Sequence, residues 1–394
     1  MEKSRKPKIR FKGFTDDWEQ RKVGELLLER NQQAPMSEEY PLMAFIANEG
    51  VTPKGERYDR SALVTDAENK LYKKTEFGDF IYSSNNLETG SIGLNKYGKA
   101  CISPVYSIFK PIDIADSDFL GRRLVRKDFI NTMVKWRQGV IYGQWRIHES
   151  DFLNIDILVP VTDEQQKIGK LLDNLDHLIT LHQRKLEKLM NVKKSMLEKM
   201  FPKQGSKVPE IRFNGFTDDW EQRELKEIVQ ITMGQSPAGS TYSNEPSDYI
   251  LVQGNADLLD GWVSPRIWTT QITKKVDAGD LIMSVRAPAG SMGKTAYDAV
   301  IGRGVAAIKG NEFMYQLLVK MDEEGYWKTF SCGSTFESLS SDTIKSAVVD
   351  VTLIAEQTQI GIFLNQLDNL ITLHQRKLEK LKNIKKSMLE KMFI

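Results

Sequence analysis

The stretch LITLHQRKLEKL stands at Leu178–Leu189, and the same twelve residues return unchanged at Leu370–Leu381. The match extends beyond these twelve, because 164–201 and 356–393 agree at 29 of 38 positions without a gap. A repeat of this length indicates that one structural plan occurs twice along the chain.

Each half also opens alike, since IRFKGFTDDWEQRKVGEL at 9–26 and IRFNGFTDDWEQRELKEI at 211–228 agree at 13 of 18 positions. The middles of the halves, about 27–163 and 229–355, are different. They share only fragments, namely GDFIYS at 78–83 with GDLIMS at 279–284, and GSIG at 90–93 with GSMG at 290–293. Repeated opening and closing segments around different middles suggest two different recognition surfaces held on equivalent scaffolds.

Apolar residues of the closing repeat recur at intervals of three and four, which predicts an amphipathic helix in each copy. Thirty-eight residues make a rod of roughly 55 Å. Written as heptads, one seam contains Ile168, Leu175, His182, Leu189 and Met196, and the other contains Leu171, Leu178, Lys185 and Val192. The matching seams predict that the two helices pack together. The predicted interface comprises Leu175, Leu178, His182 and Leu189 with Leu367, Leu370, His374 and Leu381.

The linker between the halves decides the direction of the helices. It spans at most about 35 Å when fully extended, which is shorter than the rod. The second half must therefore begin near the end of the first helix, and its own helix must run back. We expect an antiparallel pair that separates the two middles, with His182 and His374 meeting at its centre.

The middles contain short runs typical of strands, broken by Gly, Pro, Asn and Asp, such as ACISPVYSIFK and SAVVDVTL. We interpret them as compact α+β domains. FTDDWEQ in the opening repeat is read as a helix start, capped by Thr15 or Asp16, with Trp18 packed inward, and likewise around Trp220. The predicted organisation is a first domain at 1–163, a long helix at 164–201, a linker at 202–210, a second domain at 211–355 and a second long helix at 356–394.

Composition narrows the class of protein. The chain has 394 residues, 40% of them hydrophobic and 27% charged, which is typical of globular proteins. No apolar run reaches the roughly 18 residues of a membrane span, and no apolar stretch follows the basic start, so we expect a cytoplasmic protein. The net charge of +2 is low for a protein that binds DNA alone, so partners are expected to share any phosphate contacts.

Catalytic signatures are absent from the sequence. Its two cysteines and four histidines have no metal-ligand spacing, and G-x-S-x-G does not occur. GSMGKT at 290–295 resembles a phosphate-binding loop, but Pro288 stands where that motif needs glycine. We therefore predict a non-catalytic chain without a cofactor or metal of its own.

Several loops of the middles carry side chains that can read DNA. Arg and Lys pair with guanine in the major groove, and Asn and Gln pair with adenine. The candidates are Asn85, Asn86, Thr89, Lys96, Lys99, Tyr142, Gln144 and Arg146 in the first middle, and Arg286, Lys294, Arg303, Ser334 and Thr335 in the second. Each of them could equally be an ordinary solvated loop residue, and Tyr142 could belong to a core.

These features together resemble the specificity subunit of type I restriction–modification systems. The resemblance lies in EQQKIGKLLDNLDHLI and EQTQIGIFLNQLDNLI, which are similar to the Glu-Gln and Leu-Asp helix starts of that family. The long helices, the GDFIYS and GDLIMS fragments and the tandem layout agree with it, and it covers essentially the whole chain. One departure is that the first copy has Pro160 before its helix, whereas VTLIAEQTQ has no proline.

The resemblance implies the function. Each middle would be a target-recognition domain that reads one half of a split, asymmetric site in double-stranded DNA, with the helices as a ruler between them. Two methyltransferase (modification) subunits and two motor–nuclease (restriction) subunits would assemble on the chain. S-adenosylmethionine, ATP and magnesium would belong to those partners.

Two other readings remain open from the residues alone. A coiled-coil scaffold that joins two protein-binding domains would show exposed apolar patches on both middles. An enzyme with an unrecognised site would need a pocket that holds titratable groups, and no such set stands out in the sequence.

Overall fold

The computed structural model of the protein describes residues 5–53, 70–140, 144–203, 205–330 and 338–394. By its contacts the chain divides into two units. The first unit is Met1–Leu181 with Lys377–Ile394, and the second is His182–Arg376. Within the described ranges, no helix is sufficiently long and apolar to cross a bilayer.

Within the described ranges, the first unit combines short strands with three complete helices, the start of the first long helix and the end of the second. Its strands are β1 (Glu19–Lys22), β2 (Leu27–Glu29), β3 (Gln33–Ala34), β4 (Ala44–Ile46), β5 (Gly50–Thr52), β6 (Tyr72–Thr75), β7 (Phe80–Tyr82), β8 (Ile92–Leu94), β9 (Ala100–Ile102), β10 (Ser107–Pro111), β11 (Gln138–Val140), β12 (Gln144–Arg146) and β13 (Asp156–Val159). Its helices are α1 (Ser117–Leu124), α2 (Lys127–Val134), α3 (Glu149–Leu153) and the start of α4 (Thr162–Lys199).

The central sheet of the first unit has the order β2-β10-β7-β8, and all of its neighbouring strands are antiparallel. A three-stranded sheet, β3-β6-β9, and the pair β1-β13 accompany it. Strand β7 is buried along its whole length, so it reads as a continuous apolar run rather than an alternating one.

The second unit repeats this plan with a different sheet. Its strands are β14 (Glu221–Glu224), β15 (Gln230–Met233), β16 (Tyr242–Ser243), β17 (Tyr249–Val252), β18 (Leu258–Leu259), β19 (Trp262–Val263), β20 (Trp268–Thr269), β21 (Lys275–Val276), β22 (Leu281–Ser284), β23 (Met292–Lys294), β24 (Ala299–Ile301), β25 (Val305–Lys309) and β26 (Val348–Val351). Its helices are α5 (Leu225–Ile228), α6 (Glu312–Glu323), α7 (Ser341–Lys345) and α8 (Ile354–Lys391), whose end belongs to the first unit.

Two mixed sheets form the body of the second unit. Their orders are β15-β25-β22-β23-β19-β18 and β16-β20-β17-β24-β21. Strand β22 follows from GDLIMS and β7 from GDFIYS, so the shared fragment becomes a buried strand in both units. The α+β fold that the sequence predicts is confirmed.

The two long helices run antiparallel. In the second unit, His182 Nδ1 lies 2.8 Å from His374 Nδ1, and farther along α4 Lys193 forms an ion pair with Asp368. Residue numbers therefore rise on α4 as they fall on α8. The direction predicted from the short linker and the meeting of the two histidines are both confirmed.

One predicted seam of the helix pair is displaced by a residue. Leu175 and Leu367 are buried, as predicted, but Leu178 and Leu370 are 40% and 43% exposed. The inner positions are the next ones along each helix. They are Leu172, Ile179 and Leu186 on α4, and Leu364, Ile371 and Leu378 on α8. The displaced seam removes Lys185 and Lys377 from the interface, which a charged side chain occupies only at a cost.

A buried ion pair fixes the start of α4. The Glu164 carboxylate is fully buried and accepts two hydrogen bonds from the Arg10 guanidinium, at 2.6 and 2.8 Å. Gln165 beside it donates to the Pro160 carbonyl at 2.9 Å and accepts from the Asp116 backbone N–H at 3.0 Å. The Glu-Gln motif thus ties the long helix to the opening repeat and to the domain.

The second unit reproduces this arrangement. Arg212 donates to both oxygens of buried Glu356, at 2.7 and 2.8 Å. Gln357 donates to the Thr352 carbonyl at 2.7 Å and accepts from the Asn311 side chain at 2.9 Å. The glutamine contact before α8 is therefore kept without the proline, because Gln357 needs only a backbone carbonyl there.

The helix start predicted for the opening repeat is wrong. Residues 15–18 are irregular, and strand β1 begins directly after them at Glu19. Pairing of β1 with β13 takes the backbone that a helix would use, so tertiary pairing overrides the local cap signal. The inward packing of Trp18 and Trp220 is confirmed, at 1% and 3% exposure.

Each tryptophan closes an aromatic cluster around the end of a long helix. In the first unit, the ring centroid of Phe393, just after α8, lies 6.4 Å from Trp18 and 5.4 Å from Phe119. In the second, Phe201, just after α4, lies 5.9 Å from Trp220 and 5.3 Å from Phe313. The end of each helix therefore forms part of the core of a unit.

Replacing Arg10 with alanine leaves the Glu164 carboxylate buried without a cation. We expect the free energy of unfolding to fall by about 3 kcal/mol, measured by urea denaturation of the full chain. Arg21→Ala is the matched control, since its ion pair with Glu19 is exposed and contributes little. Equal losses in the two variants would contradict the positioning role of the buried pair.

Candidate nucleic-acid interface

In the second unit, the candidate side chains for DNA contact lie just after strand β22, which the shared fragment GDLIMS forms. Strand β22 pairs antiparallel with β25, and Ser284 faces Val305. The ladder continues one step further, because the Val285 N–H donates to the Gly304 carbonyl at 2.9 Å. Beyond this bond the two segments part. Arg286 forms a bridge with Ser338, whereas Arg303 lies in a turn, and both arginine side chains are exposed.

The equivalent edge in the first unit borders an open cleft. Asn85 stands two residues after GDFIYS, as Arg286 does after GDLIMS. The cleft has a volume of about 390 Å³, and its lining includes Asn85, Val105, Trp145 and Arg146. Val105 and Trp145 are 69% and 50% exposed, so this edge offers an amide, a cation and two apolar surfaces.

Hydrogen bonds hold this edge to strand β12. The Asn85 side-chain oxygen accepts from the Trp145 N–H at 2.6 Å, and Ser84 accepts from the Ile147 N–H at 3.1 Å. Asn85 is exposed, and within the described ranges its amide nitrogen makes no hydrogen bond. These two bonds fix the orientation of the Asn85 side chain relative to β12.

Charges at the back of the cleft are compensated. Arg146 lies 3.5 Å from Glu149, and the Ser107 hydroxyl donates to the same carboxylate at 2.9 Å. Burial raises the pKa of Glu149, but hydrogen bonds from its own backbone and Ser107, with the charge of Arg146, outweigh burial and lower it. Glu149 therefore stays ionised and restrains the Arg146 guanidinium.

Three predicted lysines have carboxylate partners of their own. Lys96 pairs with Asp118 at 3.0 Å and also with Asp173, and Lys99 pairs with Glu39. Lys294 is 9% exposed and lies 2.9 Å from Glu312. A lysine engaged in this way must break its ion pair to reach a phosphate or a base, which costs more for the buried Lys294 than for the exposed pairs of Lys96 and Lys99.

The other predicted residues divide into two groups. Asn86 and Thr89 are exposed on the loop after β7, where the Thr89 hydroxyl donates to the Asn86 carbonyl at 3.1 Å. Tyr142, Ser334 and Thr335 lie outside the described residues, as does the side chain of Gln144. Val105 was missed by the sequence reasoning, and the signal that could have found it is an isolated apolar residue in a polar turn.

The described residues contain no cluster of three or more His, Cys, Asp or Glu side chains that could hold a metal ion. The described part of GSMGKT forms strand β23 and its flanks, with Met292–Lys294 buried. A buried strand cannot cradle a phosphate with its backbone, as a phosphate loop does.

A second kind of exposed surface lies on the long helices. Identical leucines in the two copies are exposed at equivalent positions. They are Leu178 (40%) and Leu181 (52%) on α4, and Leu370 (43%) and Leu373 (45%) on α8. Exposed leucines at adjacent turns of a helix are typical of a surface that another protein covers.

Comparison with known proteins places these features in a family. The profile of the type I restriction modification DNA specificity domain matches the chain twice, at residues 15–191 and 217–383. The two matches correspond to the two repeats found in the sequence, and together they cover well over half of the chain.

Individual relatives have the same character. The "Putative type I restriction enzyme MjaX specificity subunit" of Methanocaldococcus jannaschii is 29% identical over 260 residues, which is 63% of this chain and 60% of that protein. The type I restriction enzyme MjaVIII specificity subunit of the same organism is 25% identical over 232 residues, 56% of this chain and 51% of that protein. These matches span only about half to three fifths of the relatives' length.

A solved structure shares the fold. The S subunit of a type I restriction–modification system from M. genitalium superimposes with a TM-score of 0.64, covering 99% of each chain at 15% identity. With a duplicated family domain over most of its length, the chain belongs to the type I restriction modification DNA specificity family.

Proposed function

We propose that this chain is the non-catalytic specificity subunit of a type I restriction–modification complex and reads a bipartite, asymmetric site in double-stranded DNA. The observation that carries the proposal is that both units repeat the same helix anchor but differ in the residues that follow the shared strand. Both units hold their long helix by the same buried Arg–Glu pair, yet Asn85 and Arg286 occupy equivalent positions beyond the shared strand. Two domains that are anchored alike but carry different side chains at equivalent positions suit two different half-sites.

The helix pair would set the spacing between the half-sites. A rod of roughly 55 Å limits their separation to about 16 base pairs at about 3.4 Å for each step. The antiparallel direction of the helices supports this role, because the sequence repeat then predicts a pseudo-symmetric reader. A pseudo-symmetric reader meets the two strands of a duplex in equivalent ways.

The chemistry would reside in partner subunits. Two methyltransferase (modification) subunits would use S-adenosylmethionine, and two restriction subunits would use ATP and magnesium. Partners that close around the DNA would also supply phosphate contacts, which fits a net charge of only +2. Such a complex acts on chromosomal and invading DNA, so we place it in the cytoplasm.

The exposed leucines support docking of two identical partners. The twelve residues that carry them are the same in both copies, so each copy presents the same surface. Divergent domains beside identical helical surfaces separate two tasks, reading of DNA by the domains and binding of partners by the helices.

Replacing Leu181 or Leu373 with glutamate puts a charge into one docking surface. We expect each single variant to bind one modification subunit instead of two, and the double variant to bind none, as measured by light scattering of the purified complex. Leu259→Glu is the control, since this leucine is 63% exposed on a domain strand. Retention of two partners by the double variant would exclude these surfaces.

The function is tested by co-expressing the chain with its cognate modification subunit and mapping adenine methylation across the genome. We expect a single motif made of two short, different sequences separated by an unspecified gap. Methylation without such a motif, or none at all with a partner of proven activity, would reject the proposal and favour a scaffold that binds no DNA.

A further inference from the structure

We propose that a charge-matched junction, where each domain helix contacts its long helix, positions the recognition domain and thereby selects the length of the gap in the DNA site. The positioning residues are Arg122 with Asp173 in the first unit, and Gln316 with Asn365 in the second. The inference rests on the proposed function and deepens it, because it names the contacts that hold each domain in one orientation on its helix.

The junction contains an equivalent carboxylate in both units. In the first unit, Arg122 of α1 lies 2.8 Å from Asp176 of α4. In the second, Gln316 of α6 is fully buried and donates to Asp368 of α8 at 2.7 Å. Asp176 and Asp368 are the same residue of the helix repeat, so two different domains contact the same point of their long helices.

A lysine of the helix repeat completes each contact. Lys385 near the end of α8 forms an ion pair with Asp176, and Lys193 of α4 lies 2.6 Å from Asp368. These two lysines are also equivalent positions of the repeat. The helix side of the junction is therefore the same in both units, and the difference lies on the domain side.

A second lysine reaches each long helix from the strand that follows the shared GSIG or GSMG fragment. Lys96 forms an ion pair with Asp173 of α4, and Lys294 donates to the side-chain oxygen of Asn365 of α8 at 3.5 Å. Each of these lysines also pairs with a carboxylate of the domain helix, at 3.0 and 2.9 Å respectively. Asp173 and Asn365 are again equivalent positions of the repeat.

The two junctions differ by one cation and one anion, and these differences cancel. Arg122 lies 3.8 Å from Asp173, and the second unit has the neutral Gln316 and Asn365 in their places. The hydrogen bond from Lys96 lowers the pKa of Asp173 and outweighs burial, which raises it, so this carboxylate is ionised. Since a partly buried charge without a partner is costly, the joint change indicates that each domain is matched to its own helix.

Two attachment points define the orientation of a long helix relative to its domain. The first is the buried Arg–Glu pair at the start of the helix. The second is the junction, since Asp176 follows Glu164 by twelve residues, which is about 18 Å along the axis. One attachment point alone would let the domain pivot, and the second removes that freedom.

Open clefts border both junctions, so the polar groups are not backed there by close packing. In the first unit the cleft has a volume of about 490 Å³, and its lining includes Arg122 and Asp173. In the second it has a volume of about 220 Å³, and its lining includes Lys294 and Asn365. The hydrogen bonds and ion pairs therefore determine the angle between the domain helix and the long helix.

The test uses the complex of the full chain with its modification subunit, and duplexes whose half-sites are separated by the natural gap or by one base pair more or less. Arg122→Gln removes a cation beside two carboxylates. We expect the preference for the natural gap, measured as a ratio of dissociation constants, to fall about tenfold, because a domain that can pivot reaches a displaced half-site. Adding Asp173→Asn recreates the combination of the second unit and should restore the ratio to within about threefold of the wild type.

Arg21→Gln is the matched control, because it makes the same chemical change at an exposed ion pair of the same unit, and it should keep the wild-type ratio. Melting temperatures check that each variant is folded. Three results would overturn the proposal: an Arg122→Gln variant with the wild-type ratio, one that weakens binding equally at all gaps, or a double variant no better than the single one. A wild-type complex that methylates no split motif would instead reject the proposed function itself.

Discussion

The buried Arg–Glu pair at the start of each long helix is the constraint on which the structure depends. Burying a carboxylate is expensive, and a buried ion pair often adds no net stability over apolar residues. Its value here is geometric, because the two-pronged contact of Arg10 with Glu164 allows one orientation of the helix relative to the opening repeat. Arg212 and Glu356 impose the same orientation in the second unit. A domain anchored in this way can change its outer loops while its helix keeps one direction.

The residues that are identical in the two halves are those that anchor each long helix to its domain. Residues that hold the frame, such as the Glu-Gln motifs, the tryptophans and the phenylalanines after the helices, are the same in both halves. Their partners are the arginines of the opening repeat, backbone groups, aromatic rings and, in the second unit, the Asn311 side chain. The loop residues that follow β7 and β22 do not anchor the helices, and they differ between the halves. The pattern of identity and difference thus separates mounting from recognition without reference to any other protein.

Much of the fold could be predicted from the sequence because the decisive signals are local periodicity and the length of the linker. Helix periodicity gave the rods, and the linker's reach gave their direction. One of the two heptad seams was assigned one residue off at its centre, because Leu178 and Ile179 are both apolar. Preferring Leu186 over Lys185 would have selected the inner positions. The false helix at Thr15 had a true local cap signal that pairing of β1 with β13 overrode. Sheet orders such as β15-β25-β22 join distant segments, and no local pattern encodes them.

The candidate site was harder to predict for a related reason. A loop residue's availability depends on its neighbours in space, and composition does not reveal them. Lys96, Lys99 and Lys294 looked like free cations until Asp118, Glu39 and Glu312 were placed beside them. A candidate surface therefore has to be chosen from the neighbours of each side chain in space, and residue type alone does not select it.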